Sequence, residues 1–286
     1  MIKVTFPRGD KVLDHLHATL GILKKMDFEF EKNKSISLDF SEVDWVIPCS
    51  IILISNKVRC FLEKGAAYIS YKPSLNQSVK KYMEAVGFPL GKKEDGNSFV
   101  SIKHFISNKK DPSQINKEVN GLLESIERKI PGEFGSSIKY IMGELSDNVD
   151  DHSEFKSASL MAQFFPQKKN LDIAVFDDGV TIPGVFEKNN ISFETDSDSI
   201  KKAVWGEVTT KKEEEVRGYG LRTCKELSLE GLKGELYIIS RKGILLLKSG
   251  KKPQLCDIEE TPLRGTFLYF RLKQPDKKLD IYEYVE

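Results

Sequence analysis

The chain has 286 residues, of which 40% are hydrophobic and 30% charged, an ordinary composition for a water-soluble globular protein of two domains or one large one. Its 44 basic and 43 acidic residues leave a net charge of +1, so no global field favours nucleic acid or an anionic membrane. The apolar run Ile51 to Ile54 falls far short of the ~20 residues that span a bilayer, residues 1–6 lack a signal-peptide layout, and Cys49, Cys60, Cys224 and Cys256 show neither metal-type spacing nor the density of a disulfide framework. A cytoplasmic protein with reduced thiols is expected, without membrane or nucleic-acid partners.

The first part of the chain alternates strand-like and helix-like segments. Residues 2–6 read as a strand, and 10–25 carry Val12, Leu13, Leu16, Leu20 and Leu23 at helical spacing. A short strand follows at 35–40. Residues 48–64 read as a buried helix with Pro48 at its start and Gly65 past its end, although the β-branched run leaves a strand reading open. A strand at 66–72, a helix at 76–86 stopped by Gly87, a polar loop at 91–98 and a strand at 99–105 complete this part. Strands alternating with helices predict a sheet with helices packed on it.

The second part opens with an amphipathic helix over 114–129, broken by Pro131-Gly132, and a second over 134–152. Strands are expected at 159–165, 172–176 and 234–240, with helices at 197–205 and 220–229 between the last two. A hairpin-like pair, 244–247 with 266–272, ends the ordered chain. His15, His17 and His104 read as structural, and the lysine pairs 168–169 and 211–212 as solvated surface.

Four fragments of the second part carry chemistry. On the 134–152 helix, Glu144, Asn148 and His152 recur every four residues, which sets neighbouring side chains about 5–6 Å apart in one row. A carboxylate there can accept a proton from an attacking water, and a carboxamide oxygen suits a magnesium ion that also takes phosphate oxygens. Next, an apolar strand delivers Asp177, Asp178 and Gly179 into a turn, where a carboxylate can accept from an exocyclic amine and a glycine lets backbone approach a ring. Then Arg217, Gly218, Tyr219, Gly220 and Leu221 precede a helix, a geometry that exposes amides to phosphate. The charged loop ahead of them, with Thr210 and Lys211, suits a lid. Last, Gly265-Thr266 opens the final strand and offers a hydroxyl. Each fragment alone has a plainer reading as a polar helix face, a turn or a strand residue.

Taken together and in this order, Glu144-x-x-x-Asn148, Asp177-x-Gly179, Gly218-x-Gly220-Leu221 and Gly265-Thr266 resemble the GHKL ATPase superfamily over residues 114–272. The resemblance implies an α/β sandwich that binds ATP and Mg2+. Glu144 would be the hydrolytic base and Asn148 the magnesium ligand. Asp177, Gly179 and Thr266 would lie at adenine. His152, Thr210, Lys211, Arg217, Gly218, Tyr219, Gly220 and Leu221 would line the rest of the nucleotide. Where the family commonly has a second glycine after the first, this chain has Thr181 before Ile182-Pro183, so a reshaped adenine turn is expected.

The fragment from Glu144 to His152 is most similar to the small bacterial ATP-binding proteins related to anti-sigma-factor kinases, and residues 37–47 with the following helix resemble a STAS domain. The implied layout is a STAS-like α/β domain at 1–98, a connection at 99–113, a GHKL α/β sandwich at 114–272 and a tail at 273–286. The STAS resemblance implies a protein partner, and dimerisation is frequent among such proteins, so a homodimer is among the expected assemblies. STAS domains of this type carry a phosphoacceptor serine at the helix start, where this chain has Pro48-Cys49-Ser50 without the usual acid and glycine. Three functions follow: an ATP-hydrolysing regulatory switch, a protein serine/threonine kinase, or a non-catalytic, ATP-bound partner-binding module.

Overall fold

The computed structural model describes residues 1–92, 94–106, 124, 128, 130–152, 155–208, 220–258 and 262–284, apart from the side chains of 146–152. It divides into two compact units, Met1–Lys103 with Ser159–Met161, and His104–Ala158 with Ala162–Glu286. The class is mixed α/β. No helix among the described residues is long and apolar enough to cross a membrane.

In the first unit, strands β1 (Ile2–Lys3), β2 (Ser35–Asp39) and β3 (Tyr68–Lys72) form a parallel sheet in that order. Helix α1 (Val12–Asn33) outruns its predicted end because Met26 and Phe30 prolong the buried stripe of Leu16, Leu20 and Leu23. Lys34 then turns the chain into the left-handed region and donates its N–H to the Phe30 carbonyl at 2.9 Å, which closes the helix. Helix α2 (Pro48–Glu63) is buried on nearly all sides, and that resolves the strand ambiguity of its β-branched run. Helix α3 (Gln77–Ala85) starts at Asn76, whose side chain accepts from the amides of Ser78 and Val79.

The larger sheet has seven strands in the order β4-β5-β6-β10-β7-β8-β9, with β4 (Phe99–Ile106) and β9 (Gln254–Asp257) at the edges, and β6 to β10 belong wholly to the second unit. Strands β5 (Ser157–Phe165), β6 (Asn170–Asp177), β7 (Glu235–Arg241), β8 (Gly243–Lys248) and β10 (Leu263–Lys273) lie between them. The expected hairpin of 244–247 with 266–272 is not formed. Instead β8 folds back on β7 across a tight turn in which Arg241 has φ 55°, and β10 runs antiparallel between β6 and β7. The sequence pattern marks both segments as apolar strands but carries no information on which neighbour each will choose.

Among the described residues, four helices accompany this sheet: α4 (Gly135–His152), α5 (Ile182–Lys188), α6 (Asp196–Trp205) and α7 (Gly220–Glu226), the last running into one π turn, Leu227–Gly231. Helix α5 and strand β9 are additions to the predicted elements. The cap of α5 was present in the sequence, because Thr181 accepts from the Gly184 amide at 3.1 Å and Pro183 lies in the first turn. Thr181 thus starts a helix. The helix expected over 114–129 falls almost wholly outside the described residues.

Candidate functional site

Strand β6 ends at Asp177, and its direct cross-strand neighbour on β10 is Thr266, which in turn faces Ser240 on β7. Period-2 alternation aims all three side chains to the same side of the sheet. Asp177 is buried, and the N–H of Gly179 reaches its Oδ1 at 2.9 Å. Among the described residues, Gly179 is the one other residue that donates to this carboxyl. Burial pushes the Asp177 acid up to about 7, and repulsion from Asp178 adds to this, while the Gly179 hydrogen bond opposes both.

Asp178, the next residue, has a different task. Its carboxylate accepts from the amides of Lys156 and Ser157, both at 2.8 Å, and so ties the start of β5 to the end of β6.

Gly265 makes the close pairing of β10 with β6 possible. Its φ is +101°, and a Cβ there would fall 1.8 Å from the Asp177 carbonyl oxygen, so no other residue fits without moving the strand. The Thr266 hydroxyl lies 2.9 Å from that of Ser240, which accepts from the Ile182 N–H at 2.9 Å. The first turn of α5 is thereby held against the row. Ser240 was not singled out in the sequence, where it only ends an apolar strand.

A second cluster forms where α4 packs on α7. Glu144 is half-buried, and Tyr140, one turn before it, is hydrogen-bonded to both Glu144 and Thr223. Burial raises the Tyr140 phenol to about 12, and its bond to Glu144 contributes. Thr223 is buried, and the Cys224 thiol points at the Ile141 carbonyl at 3.8 Å. Burial, with Glu144 nearby, raises the Cys224 thiol well above its usual range, so it is unreactive packing. Gly220 and Leu221 open the described part of α7, three and two residues ahead of Thr223. Helical spacing alone places Tyr140 beside Glu144; its second bond, to Thr223, required the packing of the two helices.

No family model matches the chain, and no curated protein matches it.

Of the residues read from the sequence, Asp177, Gly179 and Thr266 come together at the β6 and β10 ends, and Glu144 stands beside the helix that begins with Gly220 and Leu221. The backbone of Asn148 and His152 continues α4, but their side chains lie outside the described residues, as do Thr210, Lys211, Arg217, Gly218 and Tyr219. Among the described residues no group of three or more His, Cys, Asp or Glu could hold a metal ion. A cavity of ≈ 300 Å³ opens at the other end of α4, lined by Pro131, Gly132, Ser136, Lys139 and Lys278, and none of the residues singled out lines it.

Proposed function

We propose that the chain binds Mg-ATP through the Asp177–Thr266 row and hydrolyses it slowly, as a nucleotide-dependent switch whose first unit meets a protein partner. The observation that supports this best is the buried Asp177 carboxyl at the end of β6, which among the described residues receives a hydrogen bond from one other residue, Gly179, and lies in register with a hydroxyl on β10. A buried carboxylate without a full set of donors is costly unless something uses it. An amino group on a flat heterocycle is the partner its position suits.

In this reading Glu144 takes the proton of the attacking water, and Tyr140 holds that carboxylate toward the start of α7. Asn148 would hold Mg2+, which when bound neutralises charge on the phosphate oxygens. Gly220, with Gly218 before it, would offer backbone amides to phosphate. The half-buried position of Glu144 beside a hydroxyl donor favours hydrolysis over a purely structural nucleotide.

Radiolabelled ATP tests the reading. Free phosphate is expected; label transferred to a protein would point to a kinase, and bound but intact ATP to a non-catalytic module. Asp177→Asn should weaken ATP binding by about tenfold or more, the worth of a hydrogen bond to a charged group. Unchanged affinity in calorimetric titration would overturn the site.

A further inference from the structure

Strand β9 ends the larger sheet, and all four of its residues, Gln254–Asp257, are exposed. Among the described residues no strand pairs with its outer edge. The register with β8 decides which backbone groups lie there. The Ile258 N–H donates to the Lys242 carbonyl at 2.9 Å, in line with the pairs Cys256–Ile244 and Gln254–Leu246. Alternate residues of an antiparallel strand bond to the same neighbour, so Gln254 and Cys256 direct their N–H and C=O groups to β8. Those of Leu255 and Asp257 point away from the sheet. The edge is held in place, because the Ser197 N–H on α6 donates to Asp257 Oδ1 at 2.9 Å. Such an edge is a ready template for another strand.

The edge also complements itself. In the sequence Lys251 and Lys252 precede β9, while Asp257 ends it and Glu259 and Glu260 follow. Antiparallel pairing with a second copy reverses this order and sets the basic end of one against the acidic end of the other. Pro253 selects the register, because it has no N–H. Pairing Leu255 with Leu255 of a second copy would leave the Asp257 carbonyl opposite that proline. Pairing Leu255 with Asp257 satisfies the outward N–H and C=O groups of both residues in both copies. We propose that the outer edge of β9 binds a second copy of this chain, with Leu255 of each facing Asp257 of the other and Cys256 on the two-fold axis. Cys256 then meets Cys256 of the second copy in a non-hydrogen-bonded pair, with Cα atoms about 4.5 Å apart and within disulfide reach. This interface requires no nucleotide.

Sedimentation equilibrium of the full chain under reducing conditions should show a reversible monomer–dimer equilibrium, weak because the contact is small. With copper phenanthroline and dioxygen as the oxidant, a pair of Cys256 thiols should lose their protons and two electrons and join as a disulfide-linked dimer. Cys256→Ser should abolish this cross-link and leave the reversible equilibrium unchanged. Leu255→Pro removes an outward N–H while sparing the bonds to β8, so it should weaken dimerisation and slow cross-linking about tenfold or more. Leu255→Asp sets like charges directly across from each other and carries the test if circular dichroism finds Leu255→Pro unfolded. A dimer unaffected by both substitutions at Leu255 would place the contact elsewhere and overturn the proposal. Cross-linking no faster in wild-type protein than in these variants, the mark of random collision, would overturn it as well. A wild-type chain that stays monomeric and uncross-linked overturns it too, and leaves the edge to a strand of another protein.

Discussion

Asp177 and Asp178 are neighbours in sequence with opposite fates. Asp178 accepts from the amides of Lys156 and Ser157, where β5 starts, and from the Ser157 hydroxyl, whereas Asp177 is buried and, among the described residues, accepts from one other residue, through the Gly179 amide. The acid at 177 therefore stays protonated up to about 7 in the folded protein. An amino donor needs the carboxylate form, so below about 7 the site must first lose a proton, and the folded, empty protein is the state that holds it. ATP affinity should be flat above that pH and weaken toward tenfold per pH unit below it. Titrations from about pH 5.5 to about 8.5 check this, with Asp177→Asn expected to remove the dependence. For stability the sign is reversed. An acid whose folded value is raised makes the folded state less stable as pH rises between the unfolded carboxylate range and about 7.

At the scale of elements, the site depends on how β10 lies between β6 and β7. On the sheet face opposite Asp177, Arg271 on β10 directly faces Asp172 on β6, with Nε to Oδ1 at 2.8 Å and Nη2 to Oδ2 at 2.6 Å. The Tyr269 hydroxyl donates to the same carboxylate. Asp172 and Tyr269 are fully buried, so this charge pair is dry and hydrogen-bonded on several sides. Removing one partner leaves a buried charge uncompensated. Asp172→Ala should cost about 3–5 kcal/mol in urea unfolding, and the double variant with Arg271→Met should be less destabilised than the two single losses summed. Additive losses would show that the pair does not act as a unit. The same pairing sets the register that brings Thr266 opposite Asp177, so Asp172→Ala should also weaken ATP binding.

At the scale of the whole molecule, Ser50 separates what position in a motif suggests from what burial allows. Its place at the start of α2 resembles that of a phosphoacceptor, yet it is fully buried, with its hydroxyl 2.8 Å from that of Thr19 on α1. A phosphate there would need a cavity and counter-charges that the α1–α2 contact does not offer. Phosphopeptide mapping after incubation with ATP should find Ser50 unmodified, and Ser50→Asp should destabilise the full chain by about 3 kcal/mol or more in thermal or urea unfolding. A phosphorylated Ser50, or an unperturbed Ser50→Asp, would mean that α1 and α2 part readily in solution.

Much of this molecule was legible in the sequence because helix and strand periodicity are local. The stripes of α1, α4 and α6, the Thr195 and Asn76 caps and the apolar strands β6 and β7 all express interactions within a few residues. The chemistry-bearing residue types were legible too: Glu144 on a helix row, Asp177 before a glycine, Gly265 before Thr266. What pairs with what was not. Thr266 meets Asp177 and Ser240 only because β10 inserts between β6 and β7, and Tyr140 reaches Thr223 only because α4 packs on α7. Such partners lie far apart along the chain, as with Ile141 and Cys224 at a separation of 83 residues. Choosing among strand partners rests on burial and side-chain fit summed over the whole sheet, which no local window contains. The sequence by itself therefore determined the elements and the kinds of groups they carry. Only the tertiary structure decided which acid is buried at the end of β6, and which hydroxyls share its face of the sheet.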